Sequence, residues 1–264
     1  MPTIDIDDAT IHYESTGSGP SVLFVHGLCG DGDTFVDQSR RLSDRYRCVR
    51  YDRRGHSRST RGSAPIGPSR HADDAARLIE ELGLAPCLVV GSSGGGVVTV
   101  DLALRYGHLL RGVVLSEPPL FSIAPGTSEV AMSEIGPLVE RADATGDARG
   151  FVDGFFPIVC AGLWKGIDDE RRDAFRANGE VGLEDLRAMS LDVSGEDLAA
   201  VGLPALVVAG DTSPPFHREI ADRLAAHWPD ARFVELAGSG HVTYFEQPDA
   251  FEAAVRAFAG ELDR

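Results

Sequence analysis

The sequence contains 264 residues, of which 43% are hydrophobic and 25% charged, and its formal net charge is −16 at pH 7. This length and composition are typical of one large soluble domain that buries its own core. The acidic balance argues against a nucleic acid or an anionic membrane as partner, because both would repel the chain.

Short apolar runs alternate along the chain with amphipathic stretches. The alternating residues 10–14 predict an edge strand. Continuous apolar runs predict strands buried on both faces, at residues 22–25, 87–90, 113–115 and 205–209. Helical periodicity covers residues 72–82, 97–106, 218–227 and 250–259. This order predicts an α/β fold with a mostly parallel, doubly wound sheet.

Residues 120–203 interrupt the alternation, because they contain helical patterns and no strong strand signal. An ordinary crossover between parallel strands needs far fewer residues. We therefore expect a helical cap, inserted between the sixth and seventh strands, over the carboxyl ends of the strands, where open sheets bind ligands. The core domain would comprise residues 1–119 and 204–264.

The segment Gly91-Ser92-Ser93-Gly94-Gly95 carries the most specific motif of the chain. It follows the pattern G-x-S-x-G around Ser93, directly after a predicted strand and before a predicted helix. A sharp strand-to-helix turn of this kind exposes a serine hydroxyl above the sheet. Ser93 is therefore the predicted nucleophile, ahead of Ser92, which lacks glycines at both motif positions. The N–H of Gly94 at the helix start is predicted to stabilise an oxyanion.

The loop after the predicted strand 233–236 carries the candidate general base. It reads Ala-Gly-Ser-Gly-His and ends at His241, and its glycines let the chain turn back over the sheet. Histidine has a pKa near neutrality and can accept the serine proton and return it. His241 therefore ranks above His217 and His227, whose surroundings are ordinary helix or loop.

At several independent places the sequence resembles the α/β-hydrolase superfamily of serine hydrolases. Besides the serine motif, these places are the His-Gly-Leu segment after an early strand and the turn 51–59. The resemblance implies that Leu28 donates a second N–H to the oxyanion, that Gly27 allows the turn and that His26 is structural. His56 stands where the family often has glycine, and we expect it to be exposed or hydrogen-bonded locally.

The acidic member of the triad departs from the commonest family pattern. The position where most members carry an aspartate holds Ser213, which cannot stabilise an imidazolium by charge. Asp211, two residues earlier, and Glu117, after the sixth strand, both stay open as the acid. We favour Glu117, because the chain resembles the zearalenone lactonase branch in its Gly-Ser-Ser-Gly-Gly and Glu-Pro segments, and geometry rather than chain order defines a triad.

The resemblance implies two-step acyl transfer on a moderately apolar ester or lactone, without a metal or an organic cofactor. Hydrolysis of a carbon–carbon bond and cofactor-free perhydrolase or haloperoxidase activity are alternatives that use the same triad. A ligand-binding receptor with a vestigial triad is an alternative of another class. The candidate substrate-binding residues lie beside the motifs or in the cap: Ser92, Pro118, Phe121, Trp164 and Val242.

The cysteines and the N-terminal residues predict a cytoplasmic protein. The chain begins with neither the basic nor the apolar region of a signal peptide, and no apolar run approaches the length of a membrane span. The cysteines form no CxxC pair and are expected to be buried, reduced thiols: Cys29, Cys48, Cys87 and Cys160. The partner is expected to be a small-molecule substrate. A homodimer is compatible with this sequence, which fixes no oligomeric state.

Overall fold

A computed structural model describes residues 2–264, and its centre is a sheet of eight strands. In chain order these are β1 (Thr3–Ile6), β2 (Ala9–Thr16), β3 (Ser21–Val25), β4 (Arg47–Tyr51), β5 (Cys87–Ser92), β6 (Leu110–Ser116), β7 (Ala205–Gly210) and β8 (Ala231–Leu236). Their order across the sheet is β1-β2-β4-β3-β5-β6-β7-β8. Strand β2 pairs antiparallel with both of its neighbours, and every later pair of neighbours is parallel. The predicted α/β class with a mostly parallel sheet is confirmed.

Helices cover both faces of this sheet. The α-helices are α1 (Val36–Leu42), α2 (Pro68–Glu81), α3 (Gly94–Tyr106), α4 (Thr127–Thr145), α5 (Ala148–Val159), α6 (Ala161–Gly166), α7 (Asp169–Ala177), α8 (Gly179–Ala188), α9 (Gly195–Ala199), α10 (Pro215–His227), α11 (Thr243–Glu246) and α12 (Pro248–Leu262). Helices α2, α3 and α10 pack into one apolar cluster with the sheet, and α1 and α12 into a second cluster on the other face. The central strands β3, β5, β6 and β7 are thereby almost completely buried, which explains their continuous apolar runs.

The chain between β6 and β7 consists of helices α4 to α9 and their connections. Helix α5 is the apolar centre of this inserted helical segment (residues 120–203). Its Phe151 and Phe155 are buried with rings 5.4 Å apart, and Phe156 packs at 4.6 Å on Phe175 of α7. These phenylalanines belong to the same buried cluster as α1 and α12, so the segment is packed on the sheet domain.

Two details of the predicted elements differ in the structure. The predicted strand 10–14 lies within β2, but it is not an edge strand, because β1 pairs with its outer side. Helices α2, α10 and α12 begin at Pro68, Pro215 and Pro248, a few residues before the predicted starts. Proline lacks an N–H and has a fixed φ, so it is well suited to the first turn of a helix although it belongs to no apolar pattern.

All four cysteines are buried and free, as expected from their spacing. Burial raises the pKa of the Cys87 thiol to about 12, which keeps it protonated at neutral pH. Within residues 2–264, no helix combines the length and the apolar character needed to cross a membrane.

Ser93 occupies a one-residue turn between β5 and α3, with φ 52° and ψ −125°. This turn requires that α3 start very close to β3. A Cβ added at Gly95 would lie 2.1 Å from the carbonyl oxygen of Val25 and 2.5 Å from that of His26. Neither backbone oxygen can retreat without distorting β3, so only glycine allows this approach.

We expect Gly95→Ala to lower the free energy of unfolding by about 2–3 kcal/mol, because the new methyl group overlaps backbone atoms. Gly260→Ala in α12 is the matched control, since its added Cβ would meet no atom within 4 Å among the described residues. It should raise the free energy of unfolding by roughly 0.5–1 kcal/mol through the lower helix propensity of glycine. Urea denaturation followed by circular dichroism measures both, and an unchanged midpoint for Gly95→Ala would contradict the packing.

Candidate active site

The carboxyl ends of neighbouring strands bring Ser93, Glu117 and His241 together. Ser93 follows β5, Glu117 follows β6, and the loop after β8 carries His241. The Ser93 N–H donates to the carbonyl of Ser116 at 2.9 Å, and the Glu117 N–H donates to that of Val208 at 3.2 Å. These backbone hydrogen bonds hold both residues at the carboxyl ends of the central parallel strands.

The carboxylate of Glu117 is 1% exposed and has a hydrogen-bond partner on each oxygen. Its Oε2 lies 2.7 Å from Nδ1 of His241. Its Oε1 accepts from the N–H of Gly210 at 2.7 Å and from the hydroxyl of Ser213 at 2.6 Å. The serine at the usual acid position therefore contacts the carboxylate of Glu117, and Glu117 contacts the imidazole.

Asp211, the other candidate acid, contacts the loop that precedes the histidine. Its Oδ1 accepts from the N–H groups of Gly238 at 2.7 Å and Ser239 at 3.2 Å. The structure thus places this carboxylate on the backbone that carries His241, while Glu117 lies at the ring.

The predicted oxyanion residues lie directly beside Ser93. A Cβ added at Gly27 would be 3.1 Å from Cβ and 3.7 Å from Oγ of Ser93, and one added at Gly94 would be 3.6 Å from the nitrogen of Leu28. Gly94 is the first residue of α3, so its N–H has no acceptor within the helix. The Leu28 N–H has no acceptor among the residues that the structure describes. Two free N–H groups therefore lie next to the serine.

A buried polar network around Arg53 holds the segment that ends at Leu28, which we call the oxyanion loop (residues 26–28). Nη2 of Arg53 donates to the carbonyl of Gly27 at 3.1 Å, and its backbone N–H donates to Nε2 of His26 at 2.9 Å. Nη1 of Arg53 donates at 2.6 Å to Asp185 in α8, whose other oxygen lies 2.8 Å from Nε2 of His71. Arg53 thus links the oxyanion loop to the inserted helical segment.

The histidines of this network are neutral. Burial, with the nearby charge of Arg53, lowers the pKa of His56 to about 3 and holds that of His26 well below its ordinary value. Burial also lowers the pKa of His71. Of the two alternatives expected for His56, exposure or a local hydrogen bond, the structure shows the second, because the side chain is fully buried and its Nδ1 lies 3.1 Å from the carbonyl of Arg54.

Two small cavities meet at Ser93 and His241. The apolar cavity, of ≈ 50 Å³, lies under the inserted helical segment and is lined mainly by aromatic and aliphatic side chains, among them Phe121, Met132, Phe155 and Met189. The second cavity, of ≈ 30 Å³, has more polar walls, which include Thr34, Ser92 and Tyr244. A bound molecule that reached Ser93 would therefore have an apolar and a more polar side.

Three of the five predicted pocket residues line these cavities, namely Phe121, Ser92 and Val242. Contrary to the sequence-based expectation, Trp164 lies outside both, with its ring 5.1 Å from that of Phe156 and two arginine guanidinium groups over it. Pro118 also lies outside both, because its side chain packs against Gly96 of α3.

His217 is a site residue that sequence reasoning ranked too low. Its ring stacks on that of His241, with centroids 4.2 Å apart and planes inclined by 24°, and it lines the apolar cavity. Its neighbours in sequence form an ordinary helix start, so no local signal marks it. The histidine that it touches, His241, lies on another element, the loop after β8.

Glu117, His217 and His241 each offer one atom within 4.8 Å of the others, a spacing that a metal ion could use. Both oxygens of Glu117 already have protein donors, and Nδ1 of His241 is one of the groups in contact with them. The arrangement fits a hydrogen-bonded acid–base pair, Glu117 and His241, with the ring of His217 stacked on the imidazole, better than a set of metal ligands.

The buried neutral histidines should make the protein less stable as the pH falls. Below the ordinary histidine pKa of 6.5, the unfolded chain binds protons that the folded protein does not, so acid favours unfolding. Each such histidine adds up to about 1.4 kcal/mol per pH unit to the slope of the free energy of unfolding. Urea denaturation from about pH 7 to about pH 4 measures that slope.

His71→Gln, which keeps a donor for Asp185, should flatten this slope, because it removes one of the imidazoles that protonate only on unfolding. His108→Gln, at an exposed position, serves as the control and should leave the slope unchanged. A slope that is the same in wild type and in His71→Gln would show that His71 is not kept neutral by folding.

Comparison with known proteins gives consistent matches. Residues 22–254 match the alpha/beta hydrolase family. An uncharacterized hydrolase of Bacillus subtilis, YraK, is 40% identical over 126 residues, which make up 47% of this chain and 46% of that protein. The 2-(acetamidomethylene)succinate hydrolase of Mesorhizobium japonicum is 27% identical over 97% of this chain and 93% of its own length.

Among solved structures, a thermophilic esterase from Thermogutta terrifontis has a TM-score of 0.82 and 25% identity, over 99% of both chains. The family match spans most of the sheet and includes Ser93, Glu117 and His241. The chain therefore belongs to the alpha/beta hydrolase family, and it is a hydrolase.

Proposed function

We propose that the protein hydrolyses a carboxylic ester or lactone through an acyl-enzyme on Ser93. The observation that carries the proposal is the 2.7 Å contact between Nδ1 of His241 and Oε2 of Glu117. Because Nδ1 is engaged by the carboxylate, Nε2 is the ring nitrogen available for the proton of Ser93. The esterase from Thermogutta terrifontis, similar over the whole chain, supports an ester as the substrate class.

In the first step, Oγ of Ser93 attacks the carbonyl carbon and its proton passes to Nε2 of His241. The N–H groups of Leu28 and Gly94 donate to the oxygen that becomes negative, and Glu117 stabilises the imidazolium. The proton then moves to the leaving alcohol oxygen, and the ester bond breaks. Water, deprotonated by His241, attacks the acyl-enzyme and releases the acid and Ser93.

Strain at two residues of the site favours an enzyme over a receptor with a vestigial triad. Ser93 and Glu117 both have positive φ, 52° and 47°, which costs of order 1–3 kcal/mol for each non-glycine residue. Such strain is typical of functional sites, where the surrounding structure holds side chains in place. Here it holds the nucleophile and the acid at adjacent strand ends.

The two cavities suggest how a substrate would lie. The acyl chain enters the apolar cavity, and the leaving group faces Ser92 and Tyr244 in the more polar one. A surface cleft of ≈ 510 Å³ shares Phe121, Met132 and Met189 with the apolar cavity. Methionine side chains adapt easily, so these two can move aside and admit an acyl chain larger than the cavity. In this arrangement the inserted helical segment acts as the cap.

Fluorophosphonate labelling tests the nucleophile. We expect covalent label on Ser93 in wild type, located by mass spectrometry of peptides, together with rapid turnover of p-nitrophenyl butyrate. Ser93→Ala should lose both, because the label and the acyl group both form on the hydroxyl that this variant removes. Ser92→Ala is the matched control and should still be labelled. Label on Ser92 alone, or on neither serine, would refute the assignment.

A pair of conservative variants tests the acid. Glu117→Gln should reduce kcat for p-nitrophenyl butyrate by about 10³–10⁴-fold, by analogy with removal of a triad carboxylate. Asp211→Asn should stay within a few-fold of wild type, since its amide oxygen can still accept from Gly238 and Ser239. Steady-state kinetics measures kcat for both variants, and an unchanged melting temperature shows that each is folded. A larger loss in Asp211→Asn than in Glu117→Gln would assign the acid to Asp211.

A further inference from the structure

His217 is a polar side chain of the site that takes no part in the proposed mechanism. It lies in the first turn of α10 and is 2% exposed. Neither of its ring nitrogens has a hydrogen-bond partner among the residues that the structure describes. Among the buried histidines of that part of the chain, His217 alone has two ring nitrogens that are both fully buried and without a partner.

The groups around this ring provide no hydrogen-bond partner for its two nitrogens. The ring of His241 lies parallel to it, and Nδ1 of His241 is engaged with Glu117. The hydroxyl of Ser213 donates to Glu117 as well, and the neighbouring ring of Phe216, with its centroid 4.3 Å from that of His217, offers no hydrogen-bonding atom. An unpaired buried polar group costs about 1–3 kcal/mol, so a partner from inside the cavity would be favourable.

The ring is neutral, because burial and the nearby His241 hold the pKa of His217 well below its ordinary value. A neutral imidazole has one N–H donor and one acceptor nitrogen. Buried donors without a partner are rarer in proteins than under-used acceptors. The missing partner is therefore an acceptor oxygen, and the apolar cavity that His217 lines contains no protein carboxylate to supply it.

We propose that the N–H of His217 donates to a carbonyl oxygen in the acyl chain of the substrate, separate from the carbonyl that is cleaved. This inference rests on the proposed ester or lactone hydrolysis and adds the substrate class: acyl groups that carry an oxo substituent. His217 and the two catalytic residues are the polar side chains of the otherwise apolar cavity, so this contact would select among acyl chains of equal size.

Two near-isosteric esters test the contact: p-nitrophenyl 4-oxopentanoate, which has the extra carbonyl, and p-nitrophenyl 4-methylpentanoate, which lacks it. We expect wild type to prefer the oxo ester about tenfold in kcat/KM, the usual value of one hydrogen bond. His217→Phe keeps an aromatic ring on His241 and should lose this preference, mainly through a higher KM for the oxo ester. The readout is the ratio of kcat/KM for the two esters, which should fall from about ten to about one, whatever the change in kcat/KM for the methyl ester.

The amide variants provide the rescue. His217→Asn and His217→Gln each place an amide NH2 donor group near the position of Nδ1 or Nε2 respectively, and one of them should restore part of the preference. Equal losses on both esters in His217→Phe would mean that the ring acts through His241, and would overturn the proposal. Equal rates of wild type on both esters would overturn it too.

Binding to Ser93→Ala separates this proposal from the proposed function. We expect methyl 4-oxopentanoate to bind Ser93→Ala about tenfold more tightly than methyl 4-methylpentanoate in a nuclear magnetic resonance titration. Ser93→Ala combined with His217→Phe should bind the two equally. If wild type hydrolyses neither ester but this difference in binding persists, the proposed ester or lactone hydrolysis is wrong and the His217 contact stands. Absence of the difference overturns the contact, whatever the activity.

Discussion

The buried carboxylate of Glu117 is the constraint on which the site depends. A buried ion is costly unless hydrogen bonds replace its hydration, and Glu117 obtains them from three different elements. Gly210 ends β7, Ser213 lies on the loop before α10, and His241 lies on the loop after β8. Satisfying this one group therefore fixes the strand ends, the start of α10 and the imidazole relative to each other.

A second anchor fixes the oxyanion loop. Arg53 contacts the carbonyl of Gly27 and Asp185 of α8 at once, and both residues of this ion pair are almost completely buried. Burial opposes the charge of Asp185, but Arg53 and His71 hold the pKa of its carboxyl well below the ordinary value. One ion pair thus connects the loop that carries Gly27 with α8 of the inserted helical segment. The positions of these two parts of the site are therefore coupled.

Local features could be predicted from the sequence, and contacts between distant segments could not. Glycine-rich turns mark Ser93 and His241 because each motif lies within a few residues. Strand β4 was missed because Arg50 interrupts its apolar pattern, and that arginine is paired with Glu14 and Asp33 from other elements. The position of His217 at the site was missed for the same reason, since its environment comes from the loop after β8 and from the inserted segment.

Glu117 is also the last residue before the chain leaves the sheet for the inserted helical segment. Two prolines follow it, and Pro118 packs on Gly96 of α3, so the junction is held against the helix that begins after Ser93. This segment cannot be treated as an interchangeable module at its first boundary. A chimera that exchanges it must be joined after Pro119, because any earlier crossover replaces the proposed acid or its support together with the substrate pocket.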